Sequence, residues 1–132
     1  MTLRWYSTVI ESTDPRALAR WWSEALGWEV MYEADDEVVL VPPWARELGD
    51  KLEFHQIPPG LVFVLVGHEK QSKNRLHLDF APHISQDRDA EIERLIALGA
   101  TRADIGQGPD VSWEVLADPD GNEFCVLSSR EF

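Results

Sequence analysis

Two short stretches carry the side chains best suited to chemistry. In Val115–Leu127 (VLADPDGNEFCVL) a carboxylate, Glu123, follows the turn sequence Asp118-Pro119-Asp120-Gly121, and in Arg75–Phe80 (RLHLDF) an imidazole, His77, stands two residues before Asp79. Residues two apart on a strand share a face, so His77 and Asp79 are catalytic candidates as an acid/base pair. Glu123 sits at the head of a strand beside a rigid turn. A carboxylate there either meets a ligand or accepts hydrogen bonds from backbone and from Arg75, its natural partner in sequence. Asp118, Asp120, Asn122 and Glu123 have the composition of a calcium loop, but the proline, the glycine position and the short span violate the roughly twelve-residue EF-hand spacing.

Lys73 and Arg75 form a local basic pair in an acidic chain. They suit an anionic ligand, or, the preferred reading, ion pairs with Asp118 or Asp120. Cys125 has no base or cation beside it in sequence and reads as inert filling. Trp5, which shares strand parity with Ser7, and Trp113 are candidate ligand-lining aromatics. Trp44 with His55 belongs to a lid or to an ordinary solvated loop.

The elements that must position these side chains follow from periodicity. Residues 3–11 (LRWYSTVIE) suit a strand, with Trp5, Ser7 and Val9 on one face. Ser12-Thr13-Asp14-Pro15 supplies capping side chains and a first-turn proline. Leu18, Trp21, Trp22 and Ala25 then recur at helical spacing up to Gly27, which favours core or subunit contact for the two tryptophans. Strands are expected near Trp28–Tyr32 and Glu37–Val41. Between Pro42-Pro43 and Pro58-Pro59-Gly60 lies an irregular excursion with a short strand near Leu52–Gln56, followed by the strand Leu61–Val66.

After a polar linker over residues 67–74 the plan repeats. Arg75–Phe80 alternates as a strand with Arg75, His77 and Asp79 opposite Leu76, Leu78 and Phe80. Ser85 or Asp87 caps a helix with Ile92, Leu95 and Ile96 inward, ending at Gly99. Strands near Thr101–Ile105 and Val111–Ala117 lead to the turn, after which Glu123, Cys125 and Leu127 share a face opposite Phe124 and Val126. Helix ends Ala25-Leu26-Gly27 and Ala97-Leu98-Gly99 match, which argues for an internal duplication of β-α-β-β-β. The fold class is α+β, one domain over 1–132, with module 1 at about 1–66 and module 2 at about 75–132.

Composition sets the outer bounds. At 132 residues and 44% hydrophobic, the chain suits one globular core. Twelve basic against 24 acidic residues give a net charge of −12, which disfavours nucleic acid and anionic membrane as partners. One cysteine excludes an internal disulfide, and no apolar run reaches the ~20 residues of a membrane span. A soluble cytoplasmic protein is expected.

The paired modules, the strand HLDF, the helix end LGA, the segment Lys73-Asn74-Arg75 and the closing DPDGNEFCVL resemble the vicinal oxygen chelate superfamily of glyoxalase I, extradiol dioxygenases and bleomycin-resistance proteins. They look most like its small actinobacterial glyoxalase-like subgroup. The resemblance implies two modules whose mixed sheet curls into a cup, helices outside and ligand inside, often as a homodimer. Metal-dependent members take one ligand from the first and last strand of each module. Those positions match His77 and Glu123 in module 2, and Ser7 and Val64 in module 1, so half of the expected site lacks metal-binding side chains.

The expected function is therefore binding of a small, partly aromatic or apolar molecule by Trp5, Ser7, Val64, Arg75, His77, Trp113 and Glu123, without a complete metal site. The alternative is a divalent-metal-dependent lyase, isomerase or extradiol-type dioxygenase using His77 and Glu123, with the metal as Lewis acid.

Overall fold

Valine-rich segments need partners on both edges and a cover on one face, and the first half of the chain supplies both. The computed structural model describes residues 3–132. In its first half, β1 (Ser7–Ser12), β2 (Glu29–Glu33), β3 (Glu37–Val41) and β4 (Gly60–Leu65) form a four-stranded sheet in the order β1-β4-β3-β2. The β1/β4 pair is parallel and the rest are antiparallel. Helix α1 (Pro15–Leu26) starts where Asp14 accepts a hydrogen bond from the Ala17 amide and ends at Gly27, whose φ of 69° is the left-handed conformation that terminates a helix. Its Leu18, Trp21 and Trp22 are buried, the two rings meeting edge to face at 4.9 Å. They cover the sheet face that carries Val38, Leu40, Leu61 and Phe63, all buried.

The excursion differs from its reading in two places. Pro42-Pro43 starts a helix, α2 (Pro43–Leu48), because proline at the first helical position has a suitable φ and no amide to satisfy. The strand expected at Leu52–Gln56 is a single 3-10 turn, Phe54–Gln56. There the Gln56 side-chain oxygen accepts from the Glu53 amide at 2.9 Å and the Gln56 amide returns to the Glu53 carbonyl, so local bonds replace a ladder.

The second half repeats the topology. β5 (Leu78–Phe80), α3 (Arg88–Leu98), β6 (Thr101–Arg102), β7 (Glu114–Ala117) and β8 (Glu123–Val126) give a sheet in the order β5-β8-β7-β6, again with one parallel pair, β5/β8. Asp87, rather than Ser85, caps α3 by accepting from the Ala90 amide. Several strands are shorter than expected; β5 begins at Leu78 rather than Arg75, and β6 has two residues. The protein is thus an α+β fold of two βαβββ modules, and its contacts divide into two compact units between Glu69 and Lys70. No helix among the described residues is long and apolar enough to cross a membrane.

Candidate functional site

The parallel pairing of β5 with β8 fixes which side chains meet. Leu78 is opposite Phe124, Asp79 opposite Cys125 and Phe80 opposite Val126. Phe80 and Phe124 touch edge to face on one side of the sheet, where Arg102 also reaches Glu93 of α3 at 3.0 Å. The other side therefore carries Asp79 and Cys125, joined by Val115 of β7 and by His77 two residues before Asp79. On that side the His77 Nε2 and Asp79 Oδ1 lie 3.2 Å apart, both side chains being nearly half exposed. Ligand atoms of His77, Asp79 and Cys125 all lie within 4.8 Å of one another. Burial pushes the Cys125 thiol pKa up, and the Asp79 carboxylate beside it adds to the shift by charge and hydrogen bonding.

Glu123 lies one step along the same strand but is engaged elsewhere. Its Oε2 is 3.2 Å from the Lys70 ammonium and accepts from the Asn74 amide at 3.2 Å, while the Asn74 side chain donates to the Glu123 carbonyl. Burial raises the Glu123 pKa, yet hydrogen bonds from its own amide, from Asn74 and from Lys70 outweigh burial and leave it below the ordinary carboxylate value. Lys70, and not Arg75, is the cation paired with Glu123; Arg75 is exposed. Lys70 and Asn74 lie in the polar stretch that the sequence assigns to the linker over residues 67–74. The available signal was the carboxylate itself, which at the head of a buried strand needs donors, and a polar stretch just before β5 is the nearest source.

The turn before β8 is held by its own aspartate. Asp118 is buried, its Oδ1 accepting the Asp120 and Asn122 amides at 3.0 and 2.9 Å, with the Asn122 side chain on both oxygens. Gly121 follows with φ of 87°. The Asp118 carboxylate thus shapes its own turn, and the Lys73 ammonium donates to the Asn74 carbonyl at 3.1 Å.

In the first unit the face opposite α1 carries a row of partly exposed side chains. Register puts Val9, Val62, Val39 and Tyr32 in one row across all four strands, with Ser7 beside Gly60 and Val64 beside Glu11 in the flanking rows. Val9 and Tyr32 at its ends are 57% and 53% exposed and Val62 and Val39 between them are half-buried, so the row is a partly accessible, mainly apolar band. Trp5 is exposed next to it, its indole N–H donating to the Ser7 carbonyl at 3.2 Å. Trp113 is exposed just ahead of β7 in the second unit. Trp44 lies exposed on α2, and His55 packs against the Phe54 ring at 5.2 Å.

The four positions at which the resemblance places metal ligands do not fit a divalent ion. Ser7 offers a neutral hydroxyl, Val64 no donor, and the Glu123 carboxylate is already neutralised by Lys70, which leaves of the four only the His77 imidazole, itself 3.2 Å from Asp79.

Solved structures share the fold. A glyoxalase/bleomycin resistance protein/dioxygenase family enzyme from Burkholderia phytofirmans PsJN is 16% identical, covering 97% of this chain and 100% of its own, with a TM-score of 0.68. The genomically encoded fosfomycin resistance protein FosX from Listeria monocytogenes, whose structure holds Mn(II) and a sulfate ion, is 15% identical over 98% of this chain and 93% of its own, with a TM-score of 0.70. The FosX of Mesorhizobium loti is 16% identical over 96% of this chain and 92% of its own, with a TM-score of 0.64. No curated protein matches the sequence. The model of the glyoxalase-like domain family matches residues 7–127, from the first residue of β1 to the residue after β8. A match running through both modules and all eight strands makes this chain a member of the glyoxalase-like domain family.

Proposed function

We propose that the protein binds a small, partly aromatic or apolar molecule against the valine-rich sheet face opposite α1, in the manner of the non-enzymatic branch of its superfamily, without a metal completed at Ser7, Val64, His77 and Glu123. The carrying observation is the Val9–Val62–Val39–Tyr32 row, a partly accessible, mainly apolar band on the sheet face opposite α1, with Trp5 beside it. Removing apolar area from water at about 25 cal/mol per Å² would supply the affinity, before the cost of association is subtracted. Ser7, beside the band, offers a hydroxyl for orientation. Arg75, His77, Trp113 and Glu123 are proposed as ligand-lining residues of the second module. The chain is proposed to act as a single domain and a cytoplasmic homodimer of the small actinobacterial glyoxalase-like type; its exposed Met31, Leu48 and Phe54 give a second copy apolar surface to cover.

The test is stoichiometric retention of a planar aromatic probe followed by analysis for product. Retention without product in wild type, with affinity lowered by Tyr32→Ser, supports the reading; turnover of the probe class overturns it. The alternative, a metal-dependent lyase, isomerase or dioxygenase using His77 and Glu123, draws on the Mn(II) of the Listeria structure and requires Lys70 to leave Glu123.

A further inference from the structure

We infer that the molecule held by the first module is a cation: an arylalkyl amine whose apolar body lies along the Val9–Val62–Val39–Tyr32 row and whose ammonium group stands over Val64, between the carboxylates of Glu11 and Glu37. That assignment rests on the small-molecule reading above and adds to it the charge of the bound molecule and its direction on the sheet.

Register puts the two acids in place. Val64 of β4 is opposite Glu11 of β1 on one side and opposite Glu37 of β3 on the other. Glu11 is two residues from Val9, Val64 two from Val62, and Glu37 two from Val39, so Glu11-Val64-Glu37 is the next row on the same sheet face. Two residues of strand advance about 7 Å and two strand spacings span about 10 Å, so an ammonium group about 7 Å from the centre of an aromatic body reaches the gap between the carboxylates. Glu11 is exposed and Glu37 half-buried, which leaves both in reach of a molecule lying on the face.

Charge compensation decides the direction. On the other side of the band Glu29, opposite Val41, lies 3.7 Å from the Arg46 guanidinium. Around the far end of β2, Arg16 reaches Glu33 at 3.3 Å and Asp35 at 3.2 Å. Glu11 and Glu37 have no ion pair among the described residues. The apolar band therefore has one compensated end and one uncompensated end, and the second accepts a positive group. An anion of the same shape meets two carboxylates there, and a neutral molecule leaves them as they are. Two acids on either side of a valine supply too few oxygens for a bare divalent ion, whereas an ammonium on an apolar stem matches acids beside an apolar row. The net charge of −12 favours the approach of a cation and opposes that of an anion.

Three probes of one shape test this by equilibrium dialysis: naphthylethylammonium, naphthylethanol and naphthylacetate. The readout is the ratio of affinities for the ammonium and the alcohol within one preparation, which partial unfolding of a variant leaves unaltered because both probes meet the same folded fraction. Wild type should prefer the ammonium by about three- to tenfold, the range that two exposed ion pairs supply, and should bind the acetate least. The ratio should fall toward one in the double variant Glu11→Gln/Glu37→Gln. Glu24→Gln removes the same kind of charge from α1, across the sheet, and should keep the wild-type ratio. Equal binding of ammonium and alcohol, preference for the acetate, a preference that survives the double variant, or its loss in Glu24→Gln would each overturn the cation assignment while leaving the small-molecule reading standing. Failure of all three probes to bind would overturn both.

Discussion

Lys70 Nζ stands 3.2 Å from Glu123 Oε2, so the segment joining the two modules is tied by charge to the head of the last strand. The pair is largely out of water, with the Glu123 side chain 12% exposed, and the Asn74 amide completes the cradle. Glu123→Gln removes the charge assistance from two hydrogen bonds and should cost on the order of 1–3 kcal/mol in urea unfolding. Lys70→Met should cost less, about 1 kcal/mol, since the Asn74 amide remains.

The same pair predicts an acid limb. The Glu123 pKa is lowered from its ordinary value of 4.5, so the folded state binds this proton less readily than the unfolded chain. Its contribution to stability is complete above about pH 4.5 and disappears as the pH falls through the lowered folded-state value. Thermal melting followed from pH 6 downward should show a steeper fall for wild type than for Glu123→Gln; parallel curves would contradict this.

Cys125 is predicted to be a slow thiol. Burial and the neighbouring Asp79 carboxylate both hold its pKa above the ordinary value, which keeps the thiolate fraction low at neutral pH. Native protein without added metal should react with iodoacetamide far more slowly than urea-unfolded protein. Asp79→Asn should speed the native reaction by removing the adjacent negative charge.

Arg4 is predicted to hold the excursion in place. Its guanidinium lies 4.5 Å from the Tyr6 ring centroid and 4.4 Å from that of Phe54, and it donates to the Phe54 carbonyl at 3.3 Å. Cation–π contacts at exposed sites contribute about 0.5–1 kcal/mol each, enough to bias a loop and too little to govern the fold. Arg4→Ala should therefore speed limited proteolysis within residues 42–59 while leaving the global melting temperature nearly unchanged.

Phe63 tests the first core. It is fully buried under α1, and Phe63→Ala should destabilise the protein by about 3–5 kcal/mol through lost transfer energy and the cavity left behind. Val9→Thr, on the other face of the same sheet, should cost well under 1 kcal/mol in the absence of ligand.

The sequence by itself determined the repeated βαβββ order, both long helices with their glycine ends, and the turn ahead of Glu123, and it narrowed each helix start to a capping segment within which the structure selects Asp14 and Asp87. These rest on local physics: side-chain periodicity, capping chemistry, and the backbone freedom of Gly27 and Gly121, all written within a few residues of where they act. It also put His77, Asp79, Glu123 and Cys125 on matching strand faces, because parity needs only the spacing of two. What it left open was distance across strands. Only the β5/β8 register brings Asp79 to Cys125 and leaves Glu123 to Lys70 and Asn74, about fifty positions away along the chain. Helix α2 and the 3-10 turn escaped for a different reason. Both are too short to show a period, and they are set by Pro43 at a first helical position and by the Glu53–Gln56 bonds, which compete locally with the strand that β-type residues suggested. Face parity is a property of one strand, whereas a site is a property of a register, and register is settled by the burial of whole faces when the sheet forms.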